Sequence, residues 1–216
     1  MVRMRSAVQS RSTAPKSASF DRNLLIFTIK INEKKGRIFL KIYELSNLQD
    51  DGVSAQILQI LTRCNNEFVP PLDTRNSTMQ SDFSKLSELD NNIPYAYFEL
   101  VKEQNALIVG EDGIVAGFIS FRKDVVTETI PSEYLPNIYI STVITDTNFR
   151  RQGITKRMYE KLFEKYSARN IFTRTWSTNL AHTRLLESYG FAEYKRIEND
   201  RGDGIDTVYY LKLNGK

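Results

Sequence analysis

The sequence is short of the residues from which many sites are built, because its 216 residues include one cysteine and one histidine. A single cysteine, Cys64, cannot form an internal disulfide, and a single histidine, His182, cannot anchor a histidine-based metal cluster. We therefore expect a cytoplasmic protein without a bound metal. Cys64 falls on the apolar side of a predicted helix, where it is expected to act as a small buried hydrophobe rather than a nucleophile.

The sequence also lacks a long apolar run, since no stretch approaches the roughly 20 residues that a membrane helix requires. We expect a soluble protein without a membrane partner. The net charge of +4 is mild, and Arg3, Arg5, Arg11 and Lys16 supply as much charge before the first acid, Asp21. The remainder is nearly neutral, which argues against a nucleic-acid surface anywhere except in this basic tail.

Composition divides the chain into a tail and one domain. Residues 1–19 are rich in serine and arginine and cannot bury enough apolar surface to offset the entropy of ordering, which predicts a disordered tail. A transit peptide and a cloning remnant are the alternative interpretations. Residues 20–36 are predicted to form an extra strand and a hairpin loop, and residues 37–216 a single domain.

Periodicity predicts a mixed sheet with helices on both faces, an α/β architecture. The predicted strands are Leu24–Ile31, Arg37–Leu45, Ala106–Val109, Ile114–Phe121, Ile138–Thr145, Ile171–Trp176, Phe191–Ile197 and Thr207–Leu213. The predicted helices are one carrying Val53 to Cys64, a short one carrying Phe83, Leu86 and Leu89, and two longer ones over Ile154–Tyr166 and Asn179–Tyr189.

The chemistry concentrates where the strand ending at Thr145 gives way to a helix. The intervening residues are Arg150, Arg151, Gln152, Gly153, Ile154 and Thr155. The first amides of a helix have no partner within it, and the helix dipole is positive there, so this junction suits a phosphate. Gly153 would let the phosphate touch the backbone and Thr155 would add a hydroxyl donor, while an ordinary solvated helix start is the competing interpretation.

Two segments of this sequence, Val143 to Thr155 and Asn179 to Phe191, resemble motifs of the GNAT superfamily of N-acetyltransferases. The segment from Val143 to Thr155 resembles its pyrophosphate motif, which has an Arg or Gln, two residues, a Gly, any residue, and then Gly or Ala. The segment from Asn179 to Phe191 resembles its second motif, an Asn leading into a helix that ends in Gly-Phe. The two motifs at the superfamily's usual separation are more specific than either alone.

This resemblance implies a mostly antiparallel mixed sheet in which two central strands splay apart in a V that holds acetyl-CoA, the co-substrate. It further implies an acetyl-CoA-dependent N-acetyltransferase in which a primary amine attacks directly in a ternary complex. The cofactor-binding residues implied in this way are Val143, Ile144, Thr145, Arg150, Arg151, Gln152, Gly153, Ile154, Thr155 and Asn179. Asn179 would contact the pantetheine arm or an ordered water, although a helix N-cap needs an Asn equally well.

The sequence departs from the superfamily where the leaving thiolate is usually protonated, because Leu186 stands in place of a Tyr. Thr155 and His182 also replace the usual small residues. The candidate catalytic residues are Tyr189, Glu99 and His182, and Glu128, Glu133 and Asp146 are further carboxylates that fit the role of base.

Three classes of function remain after the motifs are considered. The first is an active acetyltransferase whose amine acceptor is a small molecule or a protein. The second is a module of the same fold that binds or senses an acyl-CoA without catalysis, for which Leu186 is the argument. The third is an interaction protein that uses its basic tail. Monomer and homodimer are both left open.

Overall fold

The computed structural model describes residues 25–30, 37–79, 92–111 and 113–215. The predicted tail, the first hairpin loop and the short helix carrying Phe83, Leu86 and Leu89 lie outside these residues. The strands are β1 (Leu25–Lys30), β2 (Arg37–Leu45), β3 (Asn105–Glu111), β4 (Ile114–Lys123), β5 (Asn137–Thr145), β6 (Asn170–Trp176), β7 (Ala192–Ile197) and β8 (Thr207–Lys212). The helices are α1 (Asp51–Cys64), α2 (Tyr95–Lys102), α3 (Ile154–Lys165) and α4 (Leu180–Ser188), and short 3-10 helices span Asn65–Glu67, Leu72–Thr74, Ser132–Tyr134 and Thr147–Phe149.

The described strands form one eight-stranded sheet in the order β1-β2-β3-β4-β5-β6-β8-β7. Neighbouring strands are antiparallel except β5 and β6, which run parallel and are joined through α3. This confirms the predicted fold class, a mixed and mostly antiparallel sheet.

Helices cover both faces of the sheet. Because successive residues of a strand point to opposite faces, neighbouring residues of one strand contact different helices. Leu107 and Val109 of β3 pack in a cluster with Met158 of α3 and Leu186 of α4. Ala106 and Ile108, their neighbours in the same strand, pack with α1 and α2 on the other face. Two apolar layers therefore sandwich the sheet, with α3 and α4 on one side and α1 and α2 on the other.

Among the α-helices and strands of the described residues, helix α2 is the one that the periodicity did not predict. Its eight residues include three tyrosine or phenylalanine side chains and a valine, which favour strands. Burial decides otherwise, because Tyr97, Phe98 and Val101 recur at helical spacing and are buried against α1. In the described part of the chain, no helix has the length and apolar character needed to span a bilayer.

Candidate functional site

The site begins where β5 and β6 separate. Their parallel pairing extends from Asn137 with Asn170 to Ile140 with Thr173 and stops there. Beyond that point β5 stays paired with β4 as far as Thr145, and β6 stays paired with β8 as far as Trp176. The two halves of the sheet thus diverge, and the facing edges of the last residues of both strands are left without strand partners.

A register shift in β5 accompanies this divergence. Ser120 of β4 pairs with Thr142 while the next residue, Phe121, pairs with Ile140, so Ser141 is an extra residue in the ladder. Such a bulge bends a strand and increases its local twist. The buried hydroxyl of Ser141 has no hydrogen-bond partner among the described residues, and it lines the opening between the strands.

The opening is a cavity of about 370 Å³, which we call the splay cavity. It passes from one face of the sheet to the other, because Thr173 and Thr175 of β6 face α3 and α4 while Arg174 and Trp176 face the opposite way. Its helix-start half is lined by Thr145, Arg150, Thr155, Asn179, Ala181, His182 and Leu185. Its arginine half, on the face covered by α1 and α2, is lined by Phe68, Arg75, Thr78, Arg174, Trp176 and Arg201.

The helix-start half contains the predicted phosphate loop. Gly153 is the N-cap of α3, has φ of 73°, and makes no side-chain cap hydrogen bond. Apart from Gly153 itself and its chain neighbours, no atom lies within 4 Å of the place where a Cβ on Gly153 would stand. The first amides of a helix have no partner within it. The first helical hydrogen bond runs from Arg157 N to Gly153 O, and the Thr155 hydroxyl lies 2.9 Å from that of Thr145.

Arg150 extends from this loop toward the end of α1. Its guanidinium donates to the Glu67 carboxylate at 2.7 Å, to the Cys64 sulfur at 3.3 Å and to the Thr145 carbonyl at 3.1 Å. Arg151 and Gln152 belong to the turn before α3, in which Arg151 is exposed with φ of 61° and Gln152 is half-buried. Cys64 is buried, as predicted, and this burial raises the pKa of its thiol.

Helix α4 and its N-cap place two predicted residues, Asn179 and His182, in the helix-start half. The Asn179 side chain accepts from the His182 amide as the N-cap of α4 and donates to the Thr175 hydroxyl. The His182 imidazole Nε2 lies 2.7 Å from the hydroxyl of Tyr159, and burial lowers the imidazole pKa to about 4. His182 is therefore neutral at pH 7.

Two candidate catalytic residues are not among those that line the splay cavity. Glu99 lies on the exposed side of α2 and pairs with Lys102. The Tyr189 ring packs against Phe163, and its hydroxyl donates to the Lys156 carbonyl and to Glu160. Burial, and then the Glu160 charge, raise the pKa of Tyr189 to about 12.

The three remaining candidate carboxylates also do not line the splay cavity. Glu128 and Glu133 are exposed in the connection between β4 and β5. Asp146 is buried, accepts from the Asn148 amide and pairs with Arg63 of α1. Leu186, at the position of the superfamily's usual Tyr, is fully buried in the core.

The arginine half was missed by the sequence reasoning. Arg75 follows a short 3-10 helix, Arg174 lies in β6 and Arg201 lies in the connection between β7 and β8. One signal was available, a charged residue, Arg174, within an interior strand of the sheet. Arg75 and Arg201 lie in polar segments, where nothing in the local pattern marks them.

Comparisons with known proteins agree with this geometry. Residues 59–191 match the acetyltransferase (GNAT) family. A comparison with curated protein sequences found no match. Three solved structures illustrate the similarity of fold, each below 20% sequence identity.

The first is the Escherichia coli ribosomal-protein-S18-alanine N-acetyltransferase, 15% identical, with 81% of this chain and 95% of that chain covered at a TM-score of 0.51. The second is the Salmonella typhimurium protein yncA, solved with its cofactor acetyl-CoA, with 15% identity, coverage of 81% and 95%, and a TM-score of 0.52. The third is the NatC complex bound to Gag peptide and CoA, with 19% identity, coverage of 81% and 99%, and a TM-score of 0.52.

Proposed function

The chain belongs to the acetyltransferase (GNAT) family, and from that membership we propose that it transfers an acetyl group from acetyl-CoA to a primary amine. The observation that carries the proposal is the splay cavity, which connects an uncapped helix start on one face of the sheet with a separate cavity wall on the other. Two substrates entering from opposite faces would meet between β5 and β6.

The helix-start half fits the phosphates of CoA. The first amides of α3 and the positive end of its dipole would hold the pyrophosphate, and Gly153 keeps side-chain atoms away from that position. Arg150, Arg151 and Gln152 would add donors at the rim of the site. Two structural neighbours are solved with CoA or acetyl-CoA, which supports the same ligand for this chain.

The facing edge of β5 fits the pantetheine arm. Beyond Ile140 the edge of β5 toward β6 has no strand partner, so the backbone groups that Val143 and Thr145 present there would bond to an extended chain lying in the splay. Those of Ile144, the residue between them, face its partner Phe118 in β4. Asn179 would contact the same arm from the start of α4. When bound, acetyl-CoA supplies an activated acetyl thioester, and an amide of β5 would donate to its carbonyl oxygen as negative charge develops there.

The acceptor would attack directly, without an acyl-enzyme. Cys64, the single cysteine of the chain, is buried with a raised thiol pKa and already contacts Arg150, which makes it a poor nucleophile. The attacking amine must be neutral, whereas an unperturbed ammonium has a pKa near ~10. Leu186 provides no proton for the departing thiolate, so we assign that proton to solvent.

The second candidate function is an acyl-CoA-binding module without catalysis, and the burial of Leu186 is the observation in its favour. Two measurements separate the candidates: equilibrium binding of CoA, and release of free thiol from acetyl-CoA in the presence of a panel of primary amines. Binding with amine-dependent thiol release supports the transferase. Binding without turnover across the panel favours the module, and absence of CoA binding contradicts both.

A further inference from the structure

The side chain of His182 lies between the core and the splay cavity. His182 belongs to the first turn of α4, is half-buried and lines the helix-start half. Its backbone amide donates to the Asn179 side chain, and its imidazole Nε2 lies 2.7 Å from the Tyr159 hydroxyl of α3. One nitrogen of the ring is therefore engaged by the core, while the same side chain forms part of the cavity wall.

The Tyr159 hydroxyl determines which nitrogen of this imidazole carries the proton. Tyr159 is fully buried, and its ring packs against the rings of Phe163, Tyr189 and Phe191. Among the described residues, the hydrogen-bond partner of its hydroxyl is Nε2 of His182. A buried hydroxyl that donated to no acceptor would leave its desolvation uncompensated, so Tyr159 donates and Nε2 accepts.

The proton of the imidazole consequently lies on Nδ1. Burial lowers the pKa of His182 to about 4 and raises the pKa of the Tyr159 hydroxyl, so both groups are neutral at pH 7. A neutral imidazole carries one proton, and a nitrogen that accepts has none. Within the described part of the chain, Nδ1 has no hydrogen-bond partner and is not a fully buried atom. Its N–H is therefore a donor that a ligand in the cavity can reach.

The neighbours of His182 in the same wall offer little competition as donors. Asn179 uses its side-chain oxygen as the N-cap acceptor of α4, and its amide nitrogen donates to the Thr175 hydroxyl. Ala181 and Leu185, which line the cavity from the same helix, have no polar side-chain atoms. The Nδ1 hydrogen is thus the donor that the helical part of α4 presents to the cavity from its side chains.

We propose that His182 is a positioning residue whose Nδ1–H donates to an amide carbonyl of the pantetheine arm, with Tyr159 fixing the tautomer from the core. This inference rests on the proposed transferase function and deepens its cofactor site. An arm lying along the free edge of β5 would pass the start of α4, and its amide carbonyls are strong acceptors. The small residue usual in the superfamily has no such donor, so the contact belongs to this chain.

The tautomer can be measured directly, because His182 is the single histidine of the chain. In tag-free protein labelled with ¹⁵N-histidine, a long-range ¹H–¹⁵N spectrum at pH 7 distinguishes a protonated ring nitrogen from an unprotonated one. We expect one neutral form with the proton on Nδ1, and we expect CoA to shift the Nδ1 resonance. Tyr159→Phe should give a mixture of both tautomers. A charged ring, a proton on Nε2, or an Nδ1 resonance that CoA does not move overturns the proposal.

Binding of two ligands measures the contribution of the donor. The ligands are CoA and 3′-phospho-ADP, which carries the pyrophosphate of CoA without the pantetheine arm. His182→Leu should lower CoA affinity by about 2- to 10-fold, the range for one neutral hydrogen bond, and leave the affinity for 3′-phospho-ADP unchanged. His182→Gln, whose amide can accept from Tyr159 and donate to the cavity, should keep most of the CoA affinity.

A pair of tyrosine variants separates the tautomer from the general loss of a buried hydroxyl. Tyr159→Phe should weaken CoA binding, because the ring is then free to place its proton on Nε2. Tyr166→Phe is the matched control, since Tyr166 is also buried, its hydroxyl donates to Glu44, and it does not line the splay cavity. Equal CoA affinities of the two variants would overturn the role of Tyr159.

The outcomes distinguish this inference from the proposed function. Equal losses of affinity for CoA and 3′-phospho-ADP in His182→Leu would show a merely structural role and overturn the contact. Unchanged CoA affinity in His182→Leu overturns it as well, and the transferase proposal stands in both cases. If the wild-type protein binds no CoA, the transferase proposal fails and the contact fails with it, whereas the spectrum of the free protein still decides whether Tyr159 fixes the tautomer.

Discussion

The two halves of the splay cavity are built in different ways. The helix-start half draws its proposed phosphate loop from six consecutive residues, and that proposal relies on backbone amides whose direction follows from the start of α3. The arginine half draws Arg75, Arg174 and Arg201 from three distant segments and relies on side chains that the fold brings together. The difference separates a site that local structure creates from one that exists only in the assembled sheet.

The largest expected effect tests the helix-start half alone. We expect Gly153→Glu to weaken CoA binding by at least about 100-fold, because a carboxylate would stand where the pyrophosphate meets the α3 amides. Isothermal titration calorimetry with CoA measures this loss of affinity. Gly113→Glu is the matched control, since Gly113 has φ of 76°, equally open surroundings and no place in the splay cavity. Both variants carry the same backbone strain, so equal CoA affinities would contradict the placement of the phosphate site.

The next effect concerns the anchoring of α4, which carries Asn179 and His182 into the helix-start half. Leu186→Ala is expected to lower the free energy of unfolding by about 2 to 5 kcal/mol, because Leu186 is fully buried in the core. Leu180→Ala in the same helix removes a side chain that is 57% exposed and should change stability by less than about 0.5 kcal/mol. Urea denaturation measures the free energy of unfolding of both variants. Similar losses of stability would contradict the burial of Leu186 and the exposure of Leu180 in α4.

A smaller effect tests the contrast between a neutral imidazole in one half and charged guanidiniums in the other. The pKa of His182 is about 4 in the folded protein, below the ordinary value of 6.5. The unfolded chain therefore binds a proton between these values that the folded chain does not, and stability falls as the pH falls through this window. We expect His182→Gln, which keeps an acceptor for the Tyr159 hydroxyl, to remove roughly 1 to 3 kcal/mol of this pH dependence.

Urea denaturation from pH 7.5 to 4 for both proteins measures the effect of His182. The difference in free energy of unfolding between wild type and His182→Gln should change steadily as the pH is lowered. Parallel curves would show that the imidazole titrates normally in the folded protein and that it is exposed to solvent.

The smallest effect concerns the hydroxyl at the start of α3. Thr155→Val removes the group that lies 2.9 Å from the Thr145 hydroxyl and faces the cavity. We expect CoA affinity to fall by about 2- to 10-fold, the range for one neutral hydrogen bond. Thr62→Val, in a helical threonine that bonds to the Leu58 carbonyl away from the cavity, is the control. An unchanged affinity would remove the Thr155 hydroxyl from the proposed phosphate site.

Most of the fold could be predicted from the sequence because its elements have strong local patterns. The β3–β4 hairpin and α3 each combine clear periodicity with a defined turn or start. Helix α2 could not be predicted, since its aromatic residues favour strands and only burial against α1 makes it a helix. The position of Glu99, on the exposed side of α2, follows from the same packing.

The residues of the candidate site also fall into those that local sequence predicts and those that only packing places. Gly153 and Asn179 could be assigned to helix starts because their roles depend on the residues immediately around them. Tyr189 could not be assigned, since the direction of its side chain depends on how α4 packs against α3. There the Tyr189 ring packs against the ring of Phe163. Arg75 and Arg201 became part of the site only through the Val69–Pro70 segment that binds both guanidiniums.

By itself, the sequence determined the two motifs, the order of most elements and the start of α3, because propensity and periodicity act over a few residues. Only the tertiary structure decided that β5 and β6 part after Ile140, that the imidazole of His182 is neutral, and that three arginines share one wall. These features depend on strand pairing, desolvation and charge proximity between segments far apart in the chain, and no local pattern encodes them.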